Sequence, residues 1–266
     1  MTSKVELFYD TYKNYAEVLY GEIRKETYGE DIGQTSWLTA DEYRNFFSLM
    51  HLSPNQKVLE VASGSGGPAV FMVKETGCRL VGVDINENGV ANATKLAAEN
   101  GLTDKIEFAV ADASSSLLFA DGTFDAIVCI DSINHFKARE NVFKEFRRVL
   151  KKTGRLLFTD AVVITGILTN EEIAIRSSLG FFLFVPKGEN ERLLKESGFR
   201  EIVARDVTDN IIASSRKWHD AREKRKSSLL KFEDEEKFNG VQAFLQTTYL
   251  LSLERRLSRF MYTCLK

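Results

Sequence analysis

The sequence predicts an α/β fold built on a mainly parallel sheet, and three observations support this class. Short apolar runs alternate with runs of helical period from residue 57 to about residue 163. Short turns that contain glycine separate several of these runs. The first apolar run leads directly into the glycine-rich segment GSGGPA. Alternation of this kind is typical of α/β domains, in which helices connect the strands of a mainly parallel sheet.

The first 50 residues are predicted to form helices and loops. Aromatic and apolar side chains recur there at three- and four-residue steps, which marks one face of a helix. These side chains are Tyr9, Tyr12, Tyr15, Leu19 and Ile23. A second helix is expected to begin after Thr39, because Thr39 and Glu42 have the spacing of a capping box.

Five strands are predicted between residues 57 and 163. They are KVLEVA, RLVGVDI, KIEFAVADA, FDAIVCID and RLLFTDAVV. The helices between them are expected to run to about Thr76, over residues 87–100, and over residues 139–150. Gly101 is the predicted cap of the second of these helices, and Thr153-Gly154 the predicted end of the third.

After residue 163 the alternation loosens. Helices are predicted over residues 170–184, 189–197 and 218–253, the last with a break near Asn239-Gly240. FREIVARDV and RFMYTCL are two more predicted strands. The helix-rich pieces at both ends of the chain could fold over the sheet as a cap beside a binding crevice.

Composition excludes several classes of protein. The 266 residues include 44% hydrophobic and 28% charged residues, which is typical of a globular chain. The formal net charge of -2 gives no reason to expect a nucleic-acid or membrane partner. The first residues lack the long apolar stretch of a secretory signal. The longest apolar-rich segment, 156–168, is too short to span a bilayer and contains Asp160.

Cysteine and histidine usage points to a reducing compartment and to no metal site. The three cysteines, Cys78, Cys129 and Cys264, are far apart and odd in number. No disulfide framework follows from them, so the cytoplasm is the expected location. The three histidines are also far apart, so we expect no histidine-based metal site.

Carboxylates at the ends of neighbouring strands are the main functional signal. The glycine turn contains Gly64 and Gly66, and Glu60 lies in the strand before it. By itself the turn fits a plain strand-to-helix connection as well as a nucleotide site. Asp84 ends the second strand, where a carboxylate can accept both hydroxyls of a ribose. Asp112 ends the third strand, where it could accept the amine of an adenine.

With these residues the chain resembles the class I S-adenosylmethionine-dependent methyltransferases. The resemblance covers about residues 57–160 and departs from the family motif acid-x-Gly-x-Gly-x-Gly where Ala62 replaces the first glycine. It implies a Rossmann-like sheet of seven strands, mainly parallel with an antiparallel last strand, plus a helical cap. It also implies S-adenosyl-L-methionine as the cofactor. The implied cofactor contacts are Glu60, Ala62, Gly64, Gly66, Asp84, Ile85, Asp112, Ala113 and Ile130.

The segment after the fourth strand supplies the catalytic candidates. His135 lies just beyond that strand, and histidine titrates in the range useful for a base. A histidine that only packs against the sheet fits its position equally well. Asp131 and His135 also resemble the Asp-x-x-x-His segment of the phosphoethanolamine and sarcosine/dimethylglycine methyltransferase branch, in which both residues would belong to the site. The same resemblance makes Ser36 and Trp37 candidate cofactor contacts.

Single-domain organisation over residues 1–266 follows from this assignment. Residues 1–50 would form an N-terminal helical cap segment, and residues 51–163 the cofactor-binding core. Residues 164–266 would hold the substrate-cap insertions and the last two strands. The predicted function is methyl transfer to N or O of a small-molecule metabolite, while the oligomeric state stays open.

Several alternatives stay open at this point. The quinone-biosynthesis methyltransferases, which methylate carbon, share the first two motifs. An NAD-dependent dehydrogenase would use the same turn and Asp84, but it leaves Glu60 and Asp112 unexplained. A cofactor-binding protein without turnover is a third alternative. The basic cluster 222–226 could touch RNA, although the acids at 233–236 favour a solvated helix face.

Aromatic residues offer a further hypothesis about the acceptor. Phe181, Phe182, Phe184 and Trp218 could line a pocket for a cationic amine, because aromatic faces attract cations. The alternative is that most of them form the core of the cap. The resemblance to the phosphoethanolamine methyltransferases implies a tyrosine and basic residues that hold the phosphate of the substrate. Residues 177–184 contain no match to them.

Overall fold

A computed structural model of the protein describes residues 17–266. Tyr9, Tyr12 and Tyr15 therefore lie outside the described residues. The first described helix, α1, spans Val18–Tyr28 and carries Leu19 and the buried Ile23. The second, α2, spans Ala40–Met50, and the Thr39 side chain accepts a hydrogen bond from the Glu42 backbone as predicted.

The centre of the molecule is a sheet of eight strands. In chain order they are β1 Lys57–Val61, β2 Arg79–Asp84, β3 Ile106–Val110, β4 Phe124–Cys129, β5 Leu150–Ile164, β6 Val185–Pro186, β7 Arg200–Asp206 and β8 Leu257–Leu265. The order across the sheet is β3-β2-β1-β4-β5-β8-β7. The first five strands pair in parallel, and β8 lies antiparallel between β5 and β7. This confirms the predicted sheet, to which the two-residue β6 is added beside β5.

The remaining helices follow the strands in order. They are α3 Gly67–Thr76, α4 Glu87–Glu99, α5 Arg139–Val149, α6 Asn170–Arg176, α7 Glu189–Glu196, α8 Thr208–Lys224, α9 Lys226–Leu229 and α10 Glu235–Leu253. A single turn of 3₁₀ helix occupies Ile133–His135. No helix within residues 17–266 has both the length and the apolar character needed to cross a bilayer.

Helices cover both faces of the sheet, which explains why its strands are apolar on both sides. On one face, side chains of α2, α3 and α4 pack against the strands, with Tyr43, Phe46 and Met50 among the buried residues. On the other face, α5 and α7 supply Phe143 and Leu194. The carboxyl ends of β1 to β4 stay uncovered by these two layers, so they are the place for a site.

A separate group of helices forms a cap, which we define as α1, α6, α8, α9 and α10. Within it α8 packs against both α1 and α10, and α10 also contacts α6 and β8. Of the N-terminal segment, α1 thus packs in the cap whereas α2 packs on the sheet. Two apolar clusters join the cap helices, one around Ile23 and Phe238 and the other around Trp37 and Phe244.

Several predicted boundaries are wrong, among them the start of the helix expected from residue 218, since α8 begins at Thr208. Thr153-Gly154 does not end a helix, because α5 stops at Val149 and β5 begins at Leu150. The third strand ends at Val110, so Asp112 lies in the loop after it. The helix predicted over residues 170–184 stops at Arg176. Gly240 lies inside α10, and the break falls before Asp234, whose side chain accepts from the Lys237 backbone.

Candidate functional site

Two strand-end carboxylates and the glycine turn meet at one edge of the sheet. Val61 and Val83 are partners in the β1–β2 ladder, so these strands end side by side. Asp84 ends β2, and its Oδ2 accepts a hydrogen bond of 2.8 Å from the Gly64 backbone. Its Oδ1 accepts one of 2.8 Å from Asn86. Asp84 therefore holds the glycine turn against the end of the second strand.

The turn itself is tightly bent and closely packed. Ala62 has φ 58° and Gly66 has φ 78°, both in the left-handed region. A Cβ at Gly66 would lie 2.6 Å from the Cβ of Ala93 on α4, which is well inside van der Waals contact. Glycine is thus required at position 66, whereas Ala62 adopts a conformation that strains any residue with a Cβ.

Glu60 is the buried acid at the base of the turn. It is 4% exposed, and its Oε1 accepts a hydrogen bond of 3.1 Å from the Tyr43 hydroxyl. Burial raises the pKa of Glu60 to about 8, and the nearby Asp84 adds to the rise while the Tyr43 hydrogen bond opposes it. Within residues 17–266, Glu60 Oε2 and the hydroxyls of Ser63 and Ser65 have no hydrogen-bond partner. Buried polar atoms without partners suit a polar ligand at this turn.

The third strand end is more open. Asp112 is exposed, and its Oδ1 accepts hydrogen bonds from the backbone and hydroxyl of Ser114. It follows Ala111, whose backbone donates to the Asp84 carbonyl, so the two acids lie along the same edge. Ile85 is 54% exposed, whereas Ala113 belongs to the core beneath.

Asp131 is held on three sides by protein groups. It has φ 49°, and its backbone N–H donates to the Thr159 hydroxyl. Its Oδ1 accepts from Thr159 Oγ1 and from Arg259 Nε, each at 2.7 Å. Its Oδ2 accepts from the backbone N–H of Trp37 at 3.0 Å. Asp131 thus anchors the loop that carries Trp37 to the end of β4.

Arg259 completes a buried charge network that no sequence pattern predicted. It lies on β8 with no exposed surface, and its Nη1 donates to Oε1 of Glu42 on α2 at 2.7 Å. Burial of a guanidinium between Asp131 and Glu42 is tolerable because both carboxylates neutralise it. The pKa of Arg259 is raised, since the attraction of the two acids outweighs its desolvation.

His135 ends the 3₁₀ turn that follows β4. Its Nδ1 lies 2.6 Å from the carbonyl oxygen of Phe181, which can only accept, so Nδ1 carries the proton. The neutral ring then has Nε2 as its basic atom. Burial is the main cause that lowers the pKa of His135 below its ordinary value of 6.5. A neutral imidazole at neutral pH is the form that a general base requires.

The loop between α1 and α2 contacts the helices of the cap. The Ser36 carbonyl accepts from the Tyr28 hydroxyl at 2.6 Å, and the ring of Trp37 is stacked with Phe244. Ile130 is half-buried and packs on the core cluster of α2 to α4. Trp37 and Ile130 thus lie at the junction between cap and sheet.

The predicted aromatic residues do not form one empty pocket. Phe182 contacts the His135 ring, with ring centroids 4.8 Å apart, and it also packs with Phe184 against the apolar cluster around Leu251. Phe181 is exposed, and Trp218 packs against Trp37. The space among Trp37, Phe182 and Phe244 contains the buried side chain of Arg176, which the sequence interpretation did not single out.

The basic cluster 222–226 is engaged inside the cap. Arg222 pairs with Glu233 and is 4% exposed. Arg225 and Lys224 both pair with Glu26 on α1. These ion pairs tie α8 to α1 and to the segment before α10. The expected solvated helix face is therefore wrong for Arg222, whose side chain is buried.

Comparisons with known proteins give one family. Residues 59–158 match the family model described as a methyltransferase domain. Phosphoethanolamine N-methyltransferase 1 of Zea mays is 31% identical over 218 residues, which are 80% of this chain and 43% of that protein. The chain thus spans less than half the length of this curated relative.

Solved structures share the fold. Phosphoethanolamine N-methyltransferase 2 of Haemonchus contortus, in complex with phosphomonomethylethanolamine and S-adenosylhomocysteine, gives a TM-score of 0.82 at 19% identity, over 98% of this chain and 61% of that one. The [4+2]-cyclase SpnF gives 0.77 at 20% identity, over 97% and 94%. Since a cyclase and a methyltransferase share this fold, the reaction must be argued from the site.

Proposed function

We propose that the chain is a class I S-adenosylmethionine-dependent methyltransferase of the small-molecule branch and that it methylates N or O of a small metabolite. The observation that carries this proposal is the cradle at the ends of β1 and β2. There Asp84 holds the Gly64 backbone, and Glu60 lies buried beneath the same turn with one oxygen unpartnered among the described residues.

The residues of this cradle fit an adenosyl sulfonium cofactor. Glu60 Oε2 and the Ser63 and Ser65 hydroxyls are buried polar atoms for which residues 17–266 offer no partner. We assign Asp84 to the ribose, Glu60 and the turn to the methionine part, and the exposed Ile85 and Asp112 to the adenine. The remaining assigned contacts are Ser36, Trp37, Ala62, Gly64, Gly66, Ala113 and Ile130. When bound, S-adenosylmethionine would supply a methyl group already activated on a cationic sulfur.

His135 is the base in this proposal. Because Nδ1 donates to the Phe181 carbonyl, the ring is fixed in orientation and presents Nε2 as its proton acceptor. The lowered pKa keeps the ring neutral near pH 7. His135 would therefore take the proton that a hydroxyl or ammonium acceptor loses, which typically contributes 10²–10⁴-fold.

Asp131 acts as a positioning residue in the same proposal. Its carboxylate is occupied by Arg259, Thr159 and the Trp37 backbone. Asp131 thereby fixes the loop that carries Trp37, between α1 and α2, above the cofactor part of the crevice. Orientation of this kind is the main contribution that a protein makes when the transferred group is already activated.

Calorimetry tests the cofactor assignment first. S-adenosylhomocysteine and NAD are titrated separately into the purified chain, and we expect binding of the former alone. Tight binding of NAD without S-adenosylhomocysteine would overturn the proposal in favour of a dehydrogenase. A metabolite pool incubated with labelled methyl donor then reveals the acceptor, and NMR of the product shows whether N, O or C received the methyl group.

A His135→Ala variant tests the base. We expect S-adenosylhomocysteine affinity to stay within about twofold, while methylation falls 10²-fold or more. In the wild type, kcat/KM should fall only at pH values below the ordinary histidine pKa of 6.5, because burial lowers the pKa of His135 and only the protonated ring is unable to accept a proton. His219→Ala is the matched control, since His219 lies in the cap on α8. Unchanged activity in His135→Ala would remove this residue from the mechanism.

Location and partners belong to the same proposal. Cys78, Cys129 and Cys264 are buried free thiols, which fits a reducing cytoplasm. The internal pairing of the basic cluster supports a small-molecule acceptor over a nucleic acid.

A further inference from the structure

Arg176 is a buried cation with two donor atoms that have no hydrogen-bond partner among residues 17–266. It ends α6 and is 1% exposed. Its Nε and Nη1 donate to no residue in the part of the chain that the structure describes. Leaving buried donors of a charged group unpaired is strongly unfavourable, so native proteins rarely do it without a ligand.

Three aromatic rings hold the guanidinium in place. Its Cζ lies 4.6 Å from the ring centroid of Phe244, 4.9 Å from that of Phe182 and 5.9 Å from that of Trp37. Cation–π contacts stabilise the charge and restrict its orientation, but rings cannot satisfy the N–H groups in its plane. A planar fork of donors fixed in this way is complementary to an oxyanion.

The position of Arg176 connects it to the reaction proposed above. Phe182 contacts both the Arg176 guanidinium and the His135 ring. Trp37, which also contacts Arg176, is held by Asp131 at the end of β4. Arg176 therefore lies in the wall of the acceptor side of the crevice.

We propose that Arg176 binds a carboxylate of the methyl acceptor, so that the substrate is a small organic acid. This inference rests on the proposed function and specifies its substrate class. The charges that act most on His135 are one cation, Arg176, and two carboxylates, Asp160 and Asp131. Asp160 and Asp131 are paired with Arg139 and Arg259, so Arg176 is a cation without an ion pair among residues 17–266. One such guanidinium balances a monoanion, whereas a phosphate dianion would require a second cation.

The desolvated state of the guanidinium supports the same conclusion. Burial lowers the pKa of Arg176 to about 9, although Asp131 and Asp160 attract the charge from a distance. A carboxylate bound directly to the N–H groups of Arg176 would replace the hydrogen bonds to water that burial removed. The aromatic cage is thus occupied by the protein's own cation, which argues against the capture of a cationic amine among these rings.

Binding to the complex with S-adenosylhomocysteine tests this proposal without turnover. The probes are three pairs that differ in charge at nearly equal shape: acetate and acetamide, butyrate and butyramide, and benzoate and benzamide. At least one carboxylate should bind about tenfold or more tighter than its amide, which corresponds to about 1.4 kcal/mol. Inorganic phosphate should bind more weakly than that carboxylate.

Variants assign the effect to Arg176. Arg176→Met should abolish the discrimination, and Arg176→Lys should keep part of it. Arg216→Met is the matched control, because Arg216 also lies over an aromatic ring, that of Tyr249, but is exposed on α8. Affinity for S-adenosylhomocysteine should stay unchanged in all three variants.

Three results would overturn the proposal. They are equal binding of acid and amide in every pair, tighter binding of phosphate, and loss of S-adenosylhomocysteine affinity in Arg176→Met, which would place the cofactor's own carboxylate at Arg176. Failure of the wild type to bind S-adenosylhomocysteine would instead contradict the proposed function. The two failures are therefore distinguishable.

Discussion

Ala62 has a backbone conformation that normally suits glycine. Its φ of 58° places it in the left-handed region, where a Cβ costs about 1–2 kcal/mol. Glycine removes this strain but increases the conformational entropy of the unfolded chain, which offsets part of the gain. The backbone of the turn, held by Asp84, stabilises the strained residue.

Ala62→Gly should therefore raise the free energy of unfolding by up to about 1 kcal/mol. Urea denaturation of the purified chain measures it. The same substitution at Ala91, exposed inside α4, should instead lower it by about 0.5–1 kcal/mol. A loss of stability in Ala62→Gly equal to that in Ala91→Gly would contradict the strain argument.

Glu60 should make stability depend on pH in an unusual direction. The unfolded chain releases this proton near pH 4.5, and burial moves the pKa of Glu60 in the folded chain to about 8. Between these values the folded state binds the extra proton. The contribution of Glu60 to the free energy of unfolding thus falls as pH rises, with a slope approaching about 1.4 kcal/mol per pH unit.

Denaturation of the cofactor-free chain at pH 5, 6, 7 and 8 checks this expectation. The free energy of unfolding should fall less steeply with rising pH in Glu60→Gln than in the wild type, because an amide does not titrate. Glu107→Gln, an exposed glutamate of β3, should follow the wild type. Parallel pH curves for wild type and Glu60→Gln would show that Glu60 is already ionised in the folded state.

At the scale of elements, Arg259 joins β8 to α2 and to the end of β4. Replacing it leaves Asp131 and Glu42 as buried carboxylates without their cation. Arg259→Met should lower the free energy of unfolding by about 3–5 kcal/mol. Arg192→Met, which breaks exposed pairs on α7, should lose no more than about 1 kcal/mol. A similar small loss in both variants would show that the buried network adds little.

The parts of this architecture that could be predicted from the sequence are those that depend on local patterns. The strands and the turn around Gly64 depend on apolar runs and glycine, so they were found at nearly correct positions. Arg176 and Arg259 were missed because their burial depends on partners far along the chain, such as Phe244 and Glu42. The residues beside Arg176 and Arg259 in the sequence form no local pattern that distinguishes these two arginines from surface arginines.

Boundary errors have the same origin. Gly240 was expected to break a helix, since glycine lowers helix stability by about 1 kcal/mol. Neighbours in α10 that pack into the cap core, among them Phe238 and Phe244, outweigh that local preference. For the site, residue type and order could be predicted, whereas the hydrogen bonds that occupy Asp131 required the three-dimensional arrangement.

At the scale of the whole molecule, the cap and the sheet are expected to unfold together. Both tryptophans of the chain, Trp37 and Trp218, lie in the cap region and contact each other. Their fluorescence therefore reports on the cap, whereas far-UV circular dichroism reports on all helices and strands. The Trp37–Asp131 hydrogen bond and the hydrogen bond from the Arg259 backbone to the Thr208 hydroxyl on α8 connect the two parts.

The urea transitions followed by the two signals should coincide, and S-adenosylhomocysteine should shift both equally. At about 100 times its dissociation constant the ligand adds about 2.7 kcal/mol. A fluorescence transition that precedes the dichroism transition would reveal a cap that opens independently of the sheet.

The place of β8 has a consequence for biosynthesis. β8 pairs on one side with β5 and on the other with β7, although it follows both in the chain. While a ribosome is still translating the segment after β7, the edges of β5 and β7 lack the strand that pairs with both of them. Exposed edges of this kind invite mispairing with other chains. Newly made protein should therefore depend on chaperones during translation more than a sheet assembled in chain order would.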